Sequence, residues 1–515
     1  MACDEGDTAC LLAANSGAVD ELLLVVSTGF ILLMQAGFAL VENGTVRSKN
    51  SRNILIKNMF DAAAGAVMFF LFGFGIAFGL TCRENCDDPD NAVPSRFIGT
   101  QHFAGTGFAG SDDNKYTLWI FQYSFAATAS TIVSGSLAER TQLPSYMLFS
   151  ALMTGFIYPV VVAWTWGGGW LTQNGFHDFA GTGIVHMVGG VAGLVGALII
   201  RPRHGKEKDP ALRPRVDEIE GYKATVDRFE DKAAFEQWMR EEANDTDFEP
   251  NSIPFVVVGT VVLWVSWLFF NGGSTASMYA DRENGISKII LNTILSGTCG
   301  GLTASIAKPL IMQTYSHTRR YDVSALCNGL LAGLVAITGA CDRVDPWAAI
   351  VIGIVGGIVY SAACKLCDVM TADDPIEASS VHGFAGMWGL IAVGIFDNVE
   401  GLVSGAESGK FKFLLWQLIG MFAIVLWVAL LSAIYFFIMK KAGLLRVDLL
   451  EEIMGLDIAE MGSKLKVNKQ MEKAVRRSAS LRAAGSLGRG NSKVDEEPVN
   501  EFGTARALNP TVNDE

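Results

Sequence analysis

The sequence predicts an all-α membrane protein of about eleven transmembrane helices, an inverted repeat of five plus five with one helix added. Three observations carry this. Half of the 515 residues are hydrophobic, mean hydropathy is +0.31 and glycine reaches 55, more apolar and small residues than a soluble chain of this size uses. Apolar runs of about 20 residues, enough to cross a hydrocarbon core, lie near 21–42, 54–80, 115–138, 145–166, 180–200, 254–272, 286–310, 323–340, 346–366, 378–396 and 411–439. Finally, VHMVGGVAGL at 185–194 returns as VHGFAGMWGL at 381–390, placing one histidine in the fifth run and one in the tenth.

Residues 1–20 open with MACDEGDTAC, acidic and without the basic region of a signal peptide, so the first run stays as a span and the stretch before it is extracellular. Basic residues then set the orientation. Arg47, Lys49 and Arg52, the 201–208 segment, Arg319 with Arg320, and Lys440 with Lys441 fall on one side, the cytoplasmic one. The loops at 83–113 and 397–407 are acidic or mixed. The protein therefore sits in the cell membrane with its N-terminus outside and its C-terminus inside. Residues 21–200 form the first five-helix repeat and 254–400 the second, inverted because five is odd; 401–440 is the eleventh span. Gly189 with Gly193, and Gly193 with Ala197, let helices approach closely where lipid gives no hydrophobic drive for association. The net charge of −13 is spread over loops and tail and does not identify a partner.

An ionisable side chain in hydrocarbon costs about 2.5 kcal/mol or more unless it faces a pathway or a packed interior. His186 and His382 are functional candidates on that ground, and their repeated surroundings outweigh the alternative of simple interhelical hydrogen bonding. Asp178 precedes His186 by eight residues, roughly 12 Å of helix rise, and Glu377 precedes His382 by five. Asp178 reads two ways, as a cap on the first-turn amides or as electrostatic help to a cation.

Residues 201–253 are a charged cytoplasmic insert with an amphipathic helix expected through Ile219, Tyr222, Val226, Phe229 and Ala233. Residues 441–515 are a cytoplasmic regulatory tail, helical at 447–461 and disordered after about 465. Its RRSAS at 476–480 suits a basophilic kinase acting on Ser478 or Ser480. Cys3, Cys10, Cys82 and Cys86 can form disulfides if their side is extracellular. Cys364 and Cys367 read as buried thiols rather than a reactive pair.

The motifs DFAGTGIVH at 178–186, FNGGS at 270–274, AER at 138–140 and DDPIEASSVHG at 373–383 resemble the Amt/Mep/Rh family of ammonium transporters, closest to its plant-type Amt branch. The resemblance runs from about residue 22 to 462, the insert excepted. It implies a homotrimer with one pore per subunit. Phe125 and Phe270 match the stacked phenyl pair gating the outer mouth, and Trp166 and Ser274 the outer recruitment site, with Phe125 and Asp178 beside it. His186 and His382 match the twin histidines of the lumen, and Gln122 and Thr338 fall at pore-associated positions. One departure stands out: where plant-branch members often carry a phosphorylatable Thr, GLDIAEMG at 455–462 has Ala459, so that switch does not carry over.

Each assignment has a physical rationale beside a plainer one. Aromatic faces compensate a desolvating ammonium by about 0.5–2 kcal/mol each, and Ser274 adds a hydroxyl acceptor. Without the resemblance, Trp166 reads as an interfacial belt residue, and Phe125 and Phe270 as packing. Histidine accepts and donates protons near neutrality, so ammonium can leave its proton, cross as NH3, and let the proton follow separately with net charge movement. The substrates implied are ammonium, ammonia and methylammonium, in a nitrogen-uptake role. No metal, cofactor or nucleic acid is indicated, no enzymatic constellation is visible, and no Walker-type phosphate-binding loop occurs. The rival reading is an ammonium sensor of the same fold, signalling to a cytoplasmic partner through insert or tail. A passive NH3 or CO2 channel is a third, disfavoured because a neutral gas needs no cation site.

Overall fold

The computed structural model describes residues 8–82, 92–109, 114–206, 214–227, 232–244, 248–278, 285–314, 322–404 and 410–461. Among these, nine helices are long and apolar enough to cross a membrane: Asn15–Thr45, Ser48–Phe78, Leu143–Trp164, Thr182–Ile200, Ile253–Gly273, Ile286–Ile311, Pro346–Val369, Ser379–Phe396 and Lys410–Lys441. Lys115–Ser136 and Val323–Ile337 fill the third and eighth places. The third is less apolar because Gln122, Ser124, Thr128, Ser130, Thr131 and Ser134 are turned inward, and the eighth has only 15 residues. Helix bounds are longer than apolar runs suggest: the first helix begins at Thr8, inside the stretch read as an extracellular N-terminus. A short antiparallel strand pair, Leu80–Cys82 with Ala92–Pro94, follows the second helix.

Side-chain distribution fits a bilayer. Along Lys410–Lys441, Gln417, Gly420, Met421, Ile424 and Val428 face inward while Leu415, Phe422, Leu426 and Leu430 are exposed. Such a continuous outward apolar stripe is stable only against lipid or another apolar surface.

The two histidine helices begin alike. Thr182–Met187 and Ser379–Phe384 are π-helical turns that pass into regular helix, Val188–Ile200 and Ala385–Phe396; such turns re-aim side chains and frequently mark functional positions. The helices cross with backbones in contact: a Cβ on Gly190 would lie 2.5 Å from the Gly383 Cα, and one on Gly386 2.7 Å from the Thr182 carbonyl oxygen. Both glycines stand four residues after their histidine.

Where the second half answers Asp178, the structure selects Asp374 rather than Glu377. Asp374, eight residues before His382, accepts from the Ser379 N–H at 2.7 Å and the Ser136 hydroxyl at 3.0 Å. Glu377 is engaged elsewhere, with Lys308 Nζ 2.7 Å from both carboxylate oxygens, Asn328 at 3.0 Å, and Tyr360.

The basic residues gather at one end, around a lattice of ion pairs. Glu139, of the AER motif, accepts from the Arg47 backbone N–H at 3.0 Å and Nε at 2.6 Å and from Arg203 Nη1 at 2.8 Å; Arg203 also grips Asp373 through Nε and Nη2 at 2.7 and 2.9 Å. Arg140 donates to the Arg201, Ala138 and Asp373 carbonyls. Burial works to raise Glu139, but the Arg203 and Arg47 guanidiniums outweigh it and hold its pKa at about 2. Asp373 is likewise held well below the carboxylate range despite burial, by Arg203 first.

The insert differs from its expected single helix. It contains Tyr222–Val226 and, separately, Lys232–Ala243, with Phe235, Trp238, Met239 and Ala243 buried and Ala233 exposed. The apolar stripe thus runs at 235, 238, 239 and 243, the three- and four-residue spacing of one helix face. With Val216, Tyr222 and Val226 it packs on Leu450, Ile453 and Met454 of the short helix Leu449–Met454. The expected tail helix is two pieces, broken at Gly455, where φ is +94°, before Leu456–Ala459. Phe229, Ser478, Ser480, Arg319, Arg320, Cys3 and Cys86 lie outside the described residues. Cys364 and Cys367 are buried free thiols.

Candidate substrate pathway

From one end of the molecule toward its middle, most of the nominated side chains form a continuous series. Trp166, half-buried after the fourth helix, donates its indole N–H to the Asp178 carbonyl oxygen at 2.8 Å and meets the Phe125 ring edge-on at 5.5 Å between centroids. Phe125, from the third helix, packs on Phe270, from the sixth, at 4.4 Å. Their planes are inclined by 52°, so the pair is tilted rather than parallel-stacked. Both rings are buried, and no open passage runs between them at this contact distance.

Ser274 caps the helix carrying Phe270. Its hydroxyl donates to the Phe270 carbonyl at 2.8 Å, which commits its only hydrogen and leaves its lone pairs free to accept. A group with N–H donors and no acceptor matches that requirement.

Asp178 spends both carboxylate oxygens on the helix it precedes: Oδ1 accepts from Gly181 and Thr182 at 3.0 and 2.8 Å, Oδ2 from Gly183 and Ile184 at 2.8 and 2.9 Å. Four otherwise orphaned first-turn amides are thereby satisfied. Asp178 meets the pathway through its carbonyl, which fixes Trp166, and by shaping the turn that aims His186.

Beneath the phenyl pair lie the imidazoles. His186 is wholly buried and His382 nearly so; their ring centroids are 5.3 Å apart with planes 21° from parallel. His186 is also 5.4 Å from Phe270, so the aromatic series runs unbroken into the histidine pair. Among the described residues, neither nitrogen of His186 and not Nδ1 of His382 has a hydrogen-bond partner. Leaving buried polar atoms unpaired costs about 1–3 kcal/mol each, and a fold tolerates it where a passing molecule can supply the missing bonds.

The Ammonium Transporter Family model matches residues 22–219 and 236–465. A putative ammonium transporter of Synechocystis is 37% identical over 458 residues, 88% of this chain and 90% of that protein. Ammonium transporter Amt2 of Archaeoglobus fulgidus is 35% identical over 467 residues, 86% of this chain and 87% of the relative. Among solved structures, a Sensor Amt Protein superposes with a TM-score of 0.70 at 29% identity, covering 87% of this chain and 99% of that one, and Saccharomyces cerevisiae Mep2 with 0.65 at 27%, covering 83% and 87%. The chain belongs to the ammonium transporter family. It is a multi-pass membrane protein and not an enzyme.

Two side chains beside the histidine pair went unnoticed in the sequence. Trp267 stacks on His186 at 4.7 Å and 17° and donates its indole N–H to the Thr338 hydroxyl at 2.9 Å, which itself donates to the Leu334 carbonyl. Thr338 therefore touches Trp267 rather than the histidines. The available signal was spacing: Trp267 precedes Phe270 by three residues on one helix face. Phe38, with its ring 5.9 Å from His382, gave no comparable signal. Gln122 is buried one turn from Phe125 with its Oε1 unpartnered among the described residues.

Proposed function

We propose that this protein takes up ammonium by recruiting NH4+ at Trp166, Phe125 and Ser274, deprotonating it near the Phe125–Phe270 pair, and conducting NH3 past His186 and His382. The observation that carries the reading is the buried imidazole pair with unpaired nitrogens directly under the phenyl contact. A bare cation cannot cross that contact at tolerable cost, whereas NH3 can, and imidazoles 5.3 Å apart offer it a succession of hydrogen-bonding stations. Adjacent imidazoles titrate as a coupled pair, and a proton handed on beside NH3 makes the net movement electrogenic. Methylammonium fits the same chemistry.

The working unit in this reading is a homotrimer in the cell membrane, with the Trp166 end and the N-terminus outside and the basic end and the C-terminus in the cytoplasm. The reading is tested by transient current from the purified full chain in proteoliposomes after an ammonium jump, with methylammonium as second substrate. A saturable current lost in His186→Ala or Trp166→Leu supports it; absence of current from folded protein sinks it.

One observation favours a second reading as a sensor: the insert packs its apolar face on the C-terminal helix Leu449–Met454, which would let a cytoplasmic partner or kinase read the transport core. In that case ammonium should alter tail accessibility to protease in His186→Ala as strongly as in the wild type.

A further inference from the structure

Between the first four helices lies a buried polar cluster that the pathway above does not use. Glu42, Lys57, Asp61, Ser134 and Ser150 have no exposed surface, and Ser130 and Tyr146 have 1% each. Glu42 accepts from Ser134 Oγ at 2.5 Å and Asn58 Nδ2 at 2.7 Å. Asp61 accepts from Ser130 Oγ at 3.0 Å and Tyr146 Oη at 2.6 Å. Lys57 Nζ donates to the Thr141 carbonyl at 3.2 Å and lies 5.8 Å from the Tyr146 ring centroid.

Each carboxylate faces a hydroxyl that has a second acceptor. Ser134 Oγ is 2.8 Å from the Thr131 carbonyl as well as touching Glu42, and Tyr146 Oη is 3.3 Å from the Ser130 carbonyl as well as touching Asp61. A hydroxyl has one hydrogen. When the carboxylate is ionised, the hydroxyl donates to it. When the carboxylate is protonated, it donates to the hydroxyl oxygen, and the hydroxyl turns to the backbone carbonyl. Both charge states of Glu42 and of Asp61 are thus hydrogen-bonded without any backbone movement. Asn58 Oδ1, buried and unpartnered among the described residues, gives Glu42 a further acceptor on rotation of the amide.

Charge balance sets the number of protons. Two carboxylates and one ammonium group in a region of low polarity are neutral when the carboxylates hold one proton between them. Beyond the cluster, the charged groups reaching Lys57 are Arg140 and Glu460; within it, Asp61 and Lys57 reach Glu42. The cluster also adjoins the pathway. Phe38 is one turn from Glu42 on the first helix and its ring is 5.9 Å from that of His382; Gly135 lies against both Ile376 and Glu42 Oε1, so a Cβ there would collide with the former and stand 3.2 Å from the latter.

We propose that Glu42 and Asp61 share one exchangeable proton, forming a protonation site one helical turn from Phe38, whose ring meets His382, that takes up the proton released by ammonium. This rests on the deprotonating reading above. The step balances when the held proton leaves first: the carboxylic acid of the pair protonates water at the basic end and becomes carboxylate, then NH4+ becomes NH3 as its proton restores that carboxylate to the acid, with no electron transferred.

Infrared difference spectroscopy of the full chain in lipid, titrated with pH in the absence of ammonium, reads the site directly. A buried carboxylic-acid C=O band is expected in the wild type and is expected to vanish in Glu42→Gln and in Asp61→Asn alike, because the remaining carboxylate then balances Lys57. The ammonium-evoked current should fall about 100-fold in Glu42→Gln. A band that persists in both variants overturns the proposal. If neither variant folds, Ser134→Ala keeps both carboxyls and removes one switching hydroxyl; the band should shift in frequency, and an unmoved band overturns the proposal equally. If the wild type carries no current yet the band is lost as expected, the transport reading fails and the protonation site stands.

Discussion

The histidine pair and the ion-pair lattice at the basic end are both buried and polar, yet they are built on opposite terms. Around Glu139, Arg47, Arg203 and Asp373 the charged groups meet opposite charges at 2.6–2.8 Å. Around His186 both nitrogens are left without a partner among the described residues. Pairing is what stability requires of buried charge; in the proposed reading the imidazoles go without it so that they can bond a passing molecule.

Removing one partner from the lattice should break the comparison hardest. Arg203→Ala leaves Glu139 and Asp373 buried with one cation fewer, and should lower stability by about 3–5 kcal/mol, read as a fall in thermal unfolding midpoint in detergent. The same lattice should fail in acid. Glu139 is depressed from an ordinary 4.5 to about 2, so its contribution is present above pH 4.5 and is lost as pH falls from about 4.5 to about 2. Wild-type stability measured over that window should decline with a proton uptake that Glu139→Gln lacks.

The opposite outcome is expected at the imidazole. His186→Leu removes two unpartnered polar atoms and keeps much of the volume, so the unfolding midpoint should hold or rise, while ammonium flux falls about 100-fold. A midpoint drop matching that of Arg203→Ala would show that the imidazole is structural.

How much of this was legible in the chain follows the same division. The helices, the histidine pair and the aromatic series were readable because each rests on local signals: apolar runs, a repeated VH–GL frame, and motifs. The function of AER was not, because Glu139 draws its partners from Arg47 and Arg203, 92 and 64 positions away. Trp267 was hidden because it sits in a helix that is apolar on all sides but for Thr260, Ser266 and Asn271, so hydropathy hardly distinguishes a lumen wall from a lipid face. The insert's helix was drawn as one piece because apolar residues spaced three and four apart at 219–233 read as one helix face, whereas the longer helix, Lys232–Ala243, packs on the tail helix over 200 positions on.

Asp178 stands between the two regimes, since its oxygens are fully paired while its carbonyl holds Trp166. Asp178→Ala should cost about 1–2 kcal/mol as a lost cap and reduce flux as well, through the loosened turn bearing His186. If flux falls with no loss of stability, the carboxylate acts on the cation directly and the capping account is wrong.

Ser274 should show the smallest effect and the most specific one. Its hydroxyl hydrogen is held by the Phe270 carbonyl, so the oxygen can only accept. Ser274→Ala should weaken apparent ammonium affinity by about fivefold, the equivalent of one hydrogen bond near 1 kcal/mol, with the maximal current little changed because the histidine pair is untouched. Ser274→Cys, whose sulfur is a weak acceptor, should behave like Ala. Should Ser274→Ala instead reduce the maximal current at unaltered affinity, the hydroxyl works by fixing the Phe270 helix end, and the recruitment site reduces to the aromatic faces of Trp166 and Phe125.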